Sequence, residues 1–285
     1  MSAYTVDLLV NAGINIILGL GFYTSILSGQ LSVAHGALMG IGAYTAAILT
    51  VKLGWPFWPA ILAGGVLAAV AGAAIAAVSL RLRGVYLAVA TLAFGEALVV
   101  FLLNNSYVGG AAGFYGIPLI TNLGHVALVV ALLVLFMWRF DSSRLAMAYR
   151  AVRDDEISAA TMGINVRRTK VHAFTLGAFI VGVGGGLFAH YLGILEPGQF
   201  GYLRSITIMM FAAIGGVNAF LGPVFGAVLL TLAPEFLRVS GQDRYILYGI
   251  LLVLVMIFRP NGLLERRSGR RPGAEKVPAG QTVSS

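Results

Sequence analysis

Cysteine is absent from this chain, which excludes disulfides, thiol catalysis and cysteine-ligated metals. Charge is nearly as scarce: Asp, Glu, Lys and Arg make up 11% of residues, against about a quarter in an ordinary soluble domain. No Gly-Lys dipeptide occurs, so there is no Walker-type loop to cradle nucleotide phosphates. The run LSGQ at residues 27–30 superficially resembles an ATPase signature, but it lacks a glycine and sits between two apolar spans. Ten-residue stretches of alternating polarity are missing too, which argues against a transmembrane barrel.

What the chain does have is apolar length. Hydrophobic residues make up 59%, mean hydropathy is +0.89, and 37 glycines accompany them. Runs of roughly 20 apolar residues suffice to cross a hydrocarbon core as helices, and small residues let such helices pack closely. The expected fold is all-α, a polytopic transmembrane bundle of eight to ten helices. Candidate spans are residues 7–27, 34–51, 57–80, 85–103, 123–140, 171–192, a pair within 205–237, and 245–258. The first run has no basic segment before it and reads as a retained helix rather than a cleaved signal. The pair is interrupted by GGVNAFLGP at 215–223, so one or both halves are expected to be broken or re-entrant. Residues 1–264 form one membrane domain, and 265–285 read as a disordered basic tail.

A polar island at residues 141–170 holds ten of the thirty charged residues. Within it, Asp154 can cap a short helix whose first turn carries Asp155 and Glu156, favourable at the positive end of a helix dipole. Residues 157–162 continue that helix, and Gly163 can end it in the left-handed conformation. Helices shorter than roughly 12 residues barely form alone in water, so something must hold this one. Ala159, Ala160, Met162 and Ile164 are apolar enough to suit a shallow groove on a soluble partner. The competing reading is a charged loop that serves only to orient the chain. If the island, the tail and the Arg81–Arg83 turn share a side, that side collects fifteen of the nineteen Lys and Arg residues. Lys52, Arg204, Arg238 and Arg244 are then left opposite. By the positive-inside rule the island is cytoplasmic. The +8 net charge thus reports topology and anionic lipid, with no interleaved aromatics to suggest nucleic acid.

Few polar residues lie within spans. Glu96 is the only charge between Gly84 and Trp138, and it should face the bundle interior. It either meets a polar solute or makes a helix-to-helix hydrogen bond. Ser32, His35 and Gly36 stand where two spans meet, as a helix break lining a cavity would require; alternatively His35 is an interfacial histidine bonded to backbone. Asn218, inside the broken pair, is the remaining pathway candidate. Ser32 and His35 are also the nearest thing to a nucleophile and base, but no orienting acid accompanies them. No metal site is expected.

RAVRDDEISAATMGINVRRTKVHAF, followed by GLFAHYLGILEPGQF, resembles M-type permease subunits of bacterial ABC importers for branched-chain amino acids. SGQLSVAHGALMGIGAYTAAIL, LRLRGVYLAVATLAFGE and FRPNGLL extend the resemblance in the same order along nearly the whole chain. GGVNAFLGP departs from it, since relatives more often have Gly-Ser after the glycines. The resemblance implies a non-enzymatic transport subunit of the inner membrane that binds no cofactor, ATP being used by two ATP-binding partner subunits. It also implies a second homologous permease and an extracytoplasmic solute-binding protein. Residues 150–165 would be the coupling helix, carrying Asp154, Asp155, Glu156, Ala159, Ala160, Met162, Gly163 and Asn165. An ion-coupled secondary transporter is the alternative, disfavoured because Glu96 is the sole intramembrane carboxylate.

The charge asymmetry predicts that positions 154 and 285 are both cytoplasmic. In this cysteine-free background, Asp154→Cys and Ser285→Cys should react with an impermeant thiol reagent only after the membrane is opened. Labelling of Asp154→Cys in intact cells would invert the topology.

Overall fold

A computed structural model describes residues 3–79, 82, 84–236, 243–259 and 262–263. The Arg81–Arg83 turn and the tail 265–285 lie outside the described residues, apart from Leu82. Among the described residues eleven α-helices follow one another: α1 (Ala3–Ile26), α2 (His35–Leu53), α3 (Phe57–Ser79), α4 (Val85–Asn104), α5 (Leu123–Asp141), α6 (Arg144–Asp154), α7 (Glu156–Thr161), α8 (Val166–Leu192), α9 (Tyr202–Gly215), α10 (Leu221–Phe236) and α11 (Asp243–Phe258). α1 to α5 and α8 are each long and apolar enough to cross a membrane. α9, α10 and α11 are apolar but have only 14, 16 and 16 residues. The molecule is the expected polytopic helical bundle. α8 begins at Val166, five residues before the apolar run suggests, because Asn165 caps it by accepting from the Arg168 amide at 2.9 Å.

Burial separates centre from rim. Two thirds of the apolar window of α8 is buried (67%), against 22% for α5 and 28% for α4. Rim helices present stripes at helical spacing, such as Leu128, Leu132 and Leu135 on α5 and Ile246, Ile250, Val253 and Ile257 on α11. Those stripes suit acyl chains. α8 stands at the centre against α1, α2 and α3, with α9 and α10 against α1.

Glycine sets the spacing at the centre. A Cβ on Gly42 of α2 would lie 2.2 Å from the carbonyl oxygen of Gly182 on α8, and one on Gly185 would lie 2.1 Å from that of Met39. At the same point, a Cβ at Gly64 of α3 would stand 2.6 Å from the Gly42 oxygen, and one at Gly182 would stand 3.2 Å from the Gly64 oxygen. Three helix backbones therefore touch directly, as small residues permit in membranes.

Among the described residues helical structure stops at three places inside the bundle, and freed backbone groups find partners there. In residues 27–34, the Val33 amide donates to Thr91 Oγ1 at 2.9 Å, and the Gly36 amide at the start of α2 donates to Ser205 Oγ at 2.9 Å. Residues 193–201 pair at Leu195 with Phe114 through a two-way bridge and then make a 3-10 turn at Pro197–Phe200. The GGVNAFLGP interruption separates α9 from α10, as expected. There the Leu263 amide returns to the Ile214 carbonyl at 3.1 Å, and Gly262 packs so closely that a Cβ would meet Gly216 Cα at 2.3 Å.

Overpacking a tight core costs up to about 3 kcal/mol. Gly185→Val should therefore lower the thermal midpoint of the purified protein in detergent by several degrees. Gly249→Ala on α11, where an added Cβ meets nothing within 4 Å, should leave it unchanged or slightly raised. Equal melts for the two variants would show that the backbone contact is not limiting.

Candidate functional site

The island between α5 and α8 folds into two short helices. Ser143 caps α6 by accepting from the Ala146 amide at 3.2 Å, and Ala146, Tyr149 and Val152 bury one face. α6 is tied down at its base. Arg150 pairs with Asp141 at the end of α5, and the Tyr23 hydroxyl donates to the same carboxylate at 3.3 Å. Tyr149 shares a hydrogen bond with His172 of α8, and burial pushes its phenol pKa up.

Asp155, not Asp154, caps α7. Asp154 is the last residue of α6, exposed, with only Arg153 at 3.4 Å beside it. The Asp155 carboxylate accepts the amides of Ile157 and Ser158 at 2.8 and 3.1 Å and the Ser158 hydroxyl at 2.9 Å. The Ser158 bonds, with that from Ile157, hold its carboxyl below the usual range. Glu156 pairs with Lys170 at 2.6 Å, and the Lys170 carbonyl accepts from the Gln30 amide group at 2.8 Å. Gly163 has φ +82°, the left-handed conformation expected of it. Met162 is the C-cap, and the Ile164 amide turns back to the Ala159 carbonyl at 3.1 Å.

These contacts decide which face of α7 is free. Ala159 is buried against its own chain and is not available to a groove elsewhere, and Ile164 is half-buried. The outward surface is made by Ile157 (76% exposed), Met162 (81%) and Ala160. Ile157 was missed in the sequence, although a helical projection starting from Asp155 puts it opposite Ala159.

The pathway candidates fall into separate environments. Ser32 is buried and its hydroxyl accepts from the Ala34 amide at 3.2 Å. His35 is buried between Phe22 and Phe174 and bonds Ser25 Oγ at 3.1 Å, while Ser32 meets it through its backbone. Asn218 is half-buried in the break between α9 and α10. Glu96 resolves most clearly: its carboxylate accepts the Tyr202 amide at 2.8 Å, and a Cβ on Gly201 would stand 3.3 Å from it. Gly201 offers α9 no side-chain cap, so Glu96 of α4 supplies one from 106 residues away. Among the described residues no cluster of three His, Cys, Asp or Glu could hold a metal.

Residues 4–258 match the family model of branched-chain amino acid transport system permease components. The high-affinity branched-chain amino acid permease protein LivM of Escherichia coli is 35% identical over 93% of this chain and 71% of its own length. BraD of Pseudomonas aeruginosa is 33% identical over 64% of this chain and 58% of its own. LivH of Escherichia coli is 26% identical over 87% and 88%. No solved structure matches.

If Glu96 is the cap of α9, Glu96→Gln should fold and transport nearly normally, since an amide oxygen still accepts from Tyr202. Glu96→Leu leaves that amide unpaired and should cost about 1–3 kcal/mol, read as a lower melting midpoint. Equal melts for the two would detach Glu96 from this role.

Proposed function

The chain belongs to the family of branched-chain amino acid transport permease components, and from that membership we propose how it works in an ATP-driven importer. It is the membrane-spanning subunit, it pairs with a second homologous permease, and one of the importer's two ATP-binding subunits docks on its α6–α7 end. An extracytoplasmic binding protein delivers branched-chain amino acids or related small solutes at the other end. Hydrolysis belongs to the partners, consistent with the absence of any Gly-Lys dipeptide. The inner membrane is its location. The family match favours this reading over an ion-coupled carrier.

Sidedness follows from charge. Arg139, Arg144, Arg150, Arg153, Arg167, Arg168 and Lys170 gather at the α6–α7 end, while Lys52 stands at the other, against Tyr107. That distribution supports a cytoplasmic α6–α7 end.

The observation that carries the proposal is the free face of α7. Ile157, Ala160 and Met162 are exposed on a six-residue helix that its own chain holds by only one side. An apolar knob of this kind, rimmed by Asp154, Glu156 and Asn165, fits a shallow groove on a soluble subunit. Motion of that subunit reaches the bundle through the ties already described. The Glu156–Lys170 and Tyr149–His172 pairs join the island to the first turns of α8, and Arg150–Asp141–Tyr23 joins it to α5 and α1. α8 is the central helix, so a push on α7 is delivered where the packing is least compliant. Closure of the ATP-bound partners then tips the bundle between its two access states.

Ala160→Glu adds a charge to the free face, and on an unpartnered loop it would cost under about 0.5 kcal/mol. The expected outcome is normal membrane insertion with loss of ATPase co-purification, or hydrolysis uncoupled from transport. Gly163→Val should act similarly: nothing crowds that position, but its φ of +82° is strained for a β-branched residue. Assembly and transport at normal rates in both variants would reduce the segment to a topogenic loop.

A further inference from the structure

Among the described residues Arg204 is a charge with no counter-charge, set at half depth in an apolar bundle. It lies in the first turn of α9, where its Nη2 donates to Asn15 Oδ1 at 3.3 Å and its Nε faces Met39 Sδ at 3.5 Å. Asn15 stands halfway along α1, and its own amide group donates to Thr231 of α10 at 3.0 Å, which fixes the oxygen toward Arg204. The guanidinium also lies 5.5 Å from the Phe188 ring. No carboxylate approaches it among the described residues, and Nη1 donates to none of them. Glu96 is occupied by the Tyr202 amide. The sequence grouped Arg204 with loop residues of the outer side, yet the fold carries it inward.

A guanidinium at this depth is expensive unless it faces a partner or a water-filled space. Here it faces space. A cavity of about 630 Å³ lies beside it, within the range of small-molecule sites (~300–1,000 Å³). Gln199, Thr207, Tyr245 and Tyr248 give it polar walls, and Phe188 and Leu203 give it apolar ones. Tyr245 and Leu203 are partly exposed, so the cavity opens at the bundle surface between α8, α9 and α11.

We propose that this cavity is a transit site for a small zwitterionic amino acid, with Arg204 taking its carboxylate. The tyrosine rings stand beside the ammonium group, and Phe188 and Leu203 take an aliphatic side chain. The guanidinium fork suits a planar carboxylate in a way that an ammonium does not. Asn15 and Met39 orient the fork from behind and leave Nη1 for the solute. This assignment rests on the importer reading above and adds to it where the solute binds. The competing role for Arg204 is a brace between α9, α1 and α2.

Thr207 lines the cavity one turn beyond Arg204, and the chain has no native cysteine. Thr207→Cys, in the complete complex reconstituted in proteoliposomes, should react with a methanethiosulfonate reagent. L-leucine should slow that reaction and L-leucinamide, which lacks the carboxylate, should not. Adding Arg204→Gln should weaken protection by L-leucine about tenfold or more, as loss of a charge-assisted hydrogen bond does, whereas Arg204→Lys should retain part of it. Equal protection by acid and amide, no protection by either, or protection that survives Arg204→Gln would each overturn the assignment. So would lack of labelling both here and at Tyr245→Cys. Because Thr207→Cys alone carries the acid-amide comparison, misfolding of the arginine variants leaves the test intact. Hydrolysis of ATP stimulated by the loaded binding protein, measured in the same vesicles, tests the importer reading separately.

Discussion

Direct contact between helix backbones at the centre of the bundle is the constraint on which the rest of this structure depends. Without water, apolar side chains give helices no strong preference for one another over lipid, and close van der Waals approach has to hold them. α8 meets that demand with glycine against α2, and α2 does the same against α3. The consequence is stiffness where the island joins the bundle. A helix packed backbone to backbone moves with its neighbours or not at all, which suits a part that has to carry motion from one end of the protein to the other.

The interruptions in helical structure follow a second rule, that a freed amide inside a membrane must be met by the protein itself. Each break is met by a side chain or strand from a distant part of the sequence: Thr91 for Val33, Ser205 for Gly36, Glu96 for Tyr202. These bonds put most of the few intramembrane polar side chains to structural use. Arg204 stands apart from that pattern, with a donor that meets none of the described residues and a cavity in front of it.

Much of this was legible in the sequence because membrane helices announce themselves locally. Hydropathy located the long helices within a few residues, glycine clustering placed the break at 215–223, and Gly163 marked a left-handed helix end. What escaped depended on tertiary contact. Asp154 and Asp155 are equivalent as caps until one knows that α6 runs through Asp154. Ala159 and Ile157 are both apolar, and only packing decides which one is covered. α6 itself carried a readable signal, the Ser143 cap and the Ala146, Tyr149, Val152 spacing, that was submerged in the charge of the island. Glu96 was legible as an interior carboxylate, but its partner lies on another helix. Arg204 was read only for its side of the membrane, because charge counting does not separate a loop arginine from one carried inward at the start of a helix.

The strap from Leu263 to Ile214 also bears on how the protein is made. The carbonyl of Ile214 and the crevice over Gly216 belong to helices that leave the ribosome well before residues 262 and 263 do. Until residues 262 and 263 emerge, the turn between α9 and α10 lacks the donor for its Ile214 carbonyl and the cover over Gly216. The two helices are therefore translated before the segment that closes the turn between them, and the geometry of the break is set later than that of its flanks.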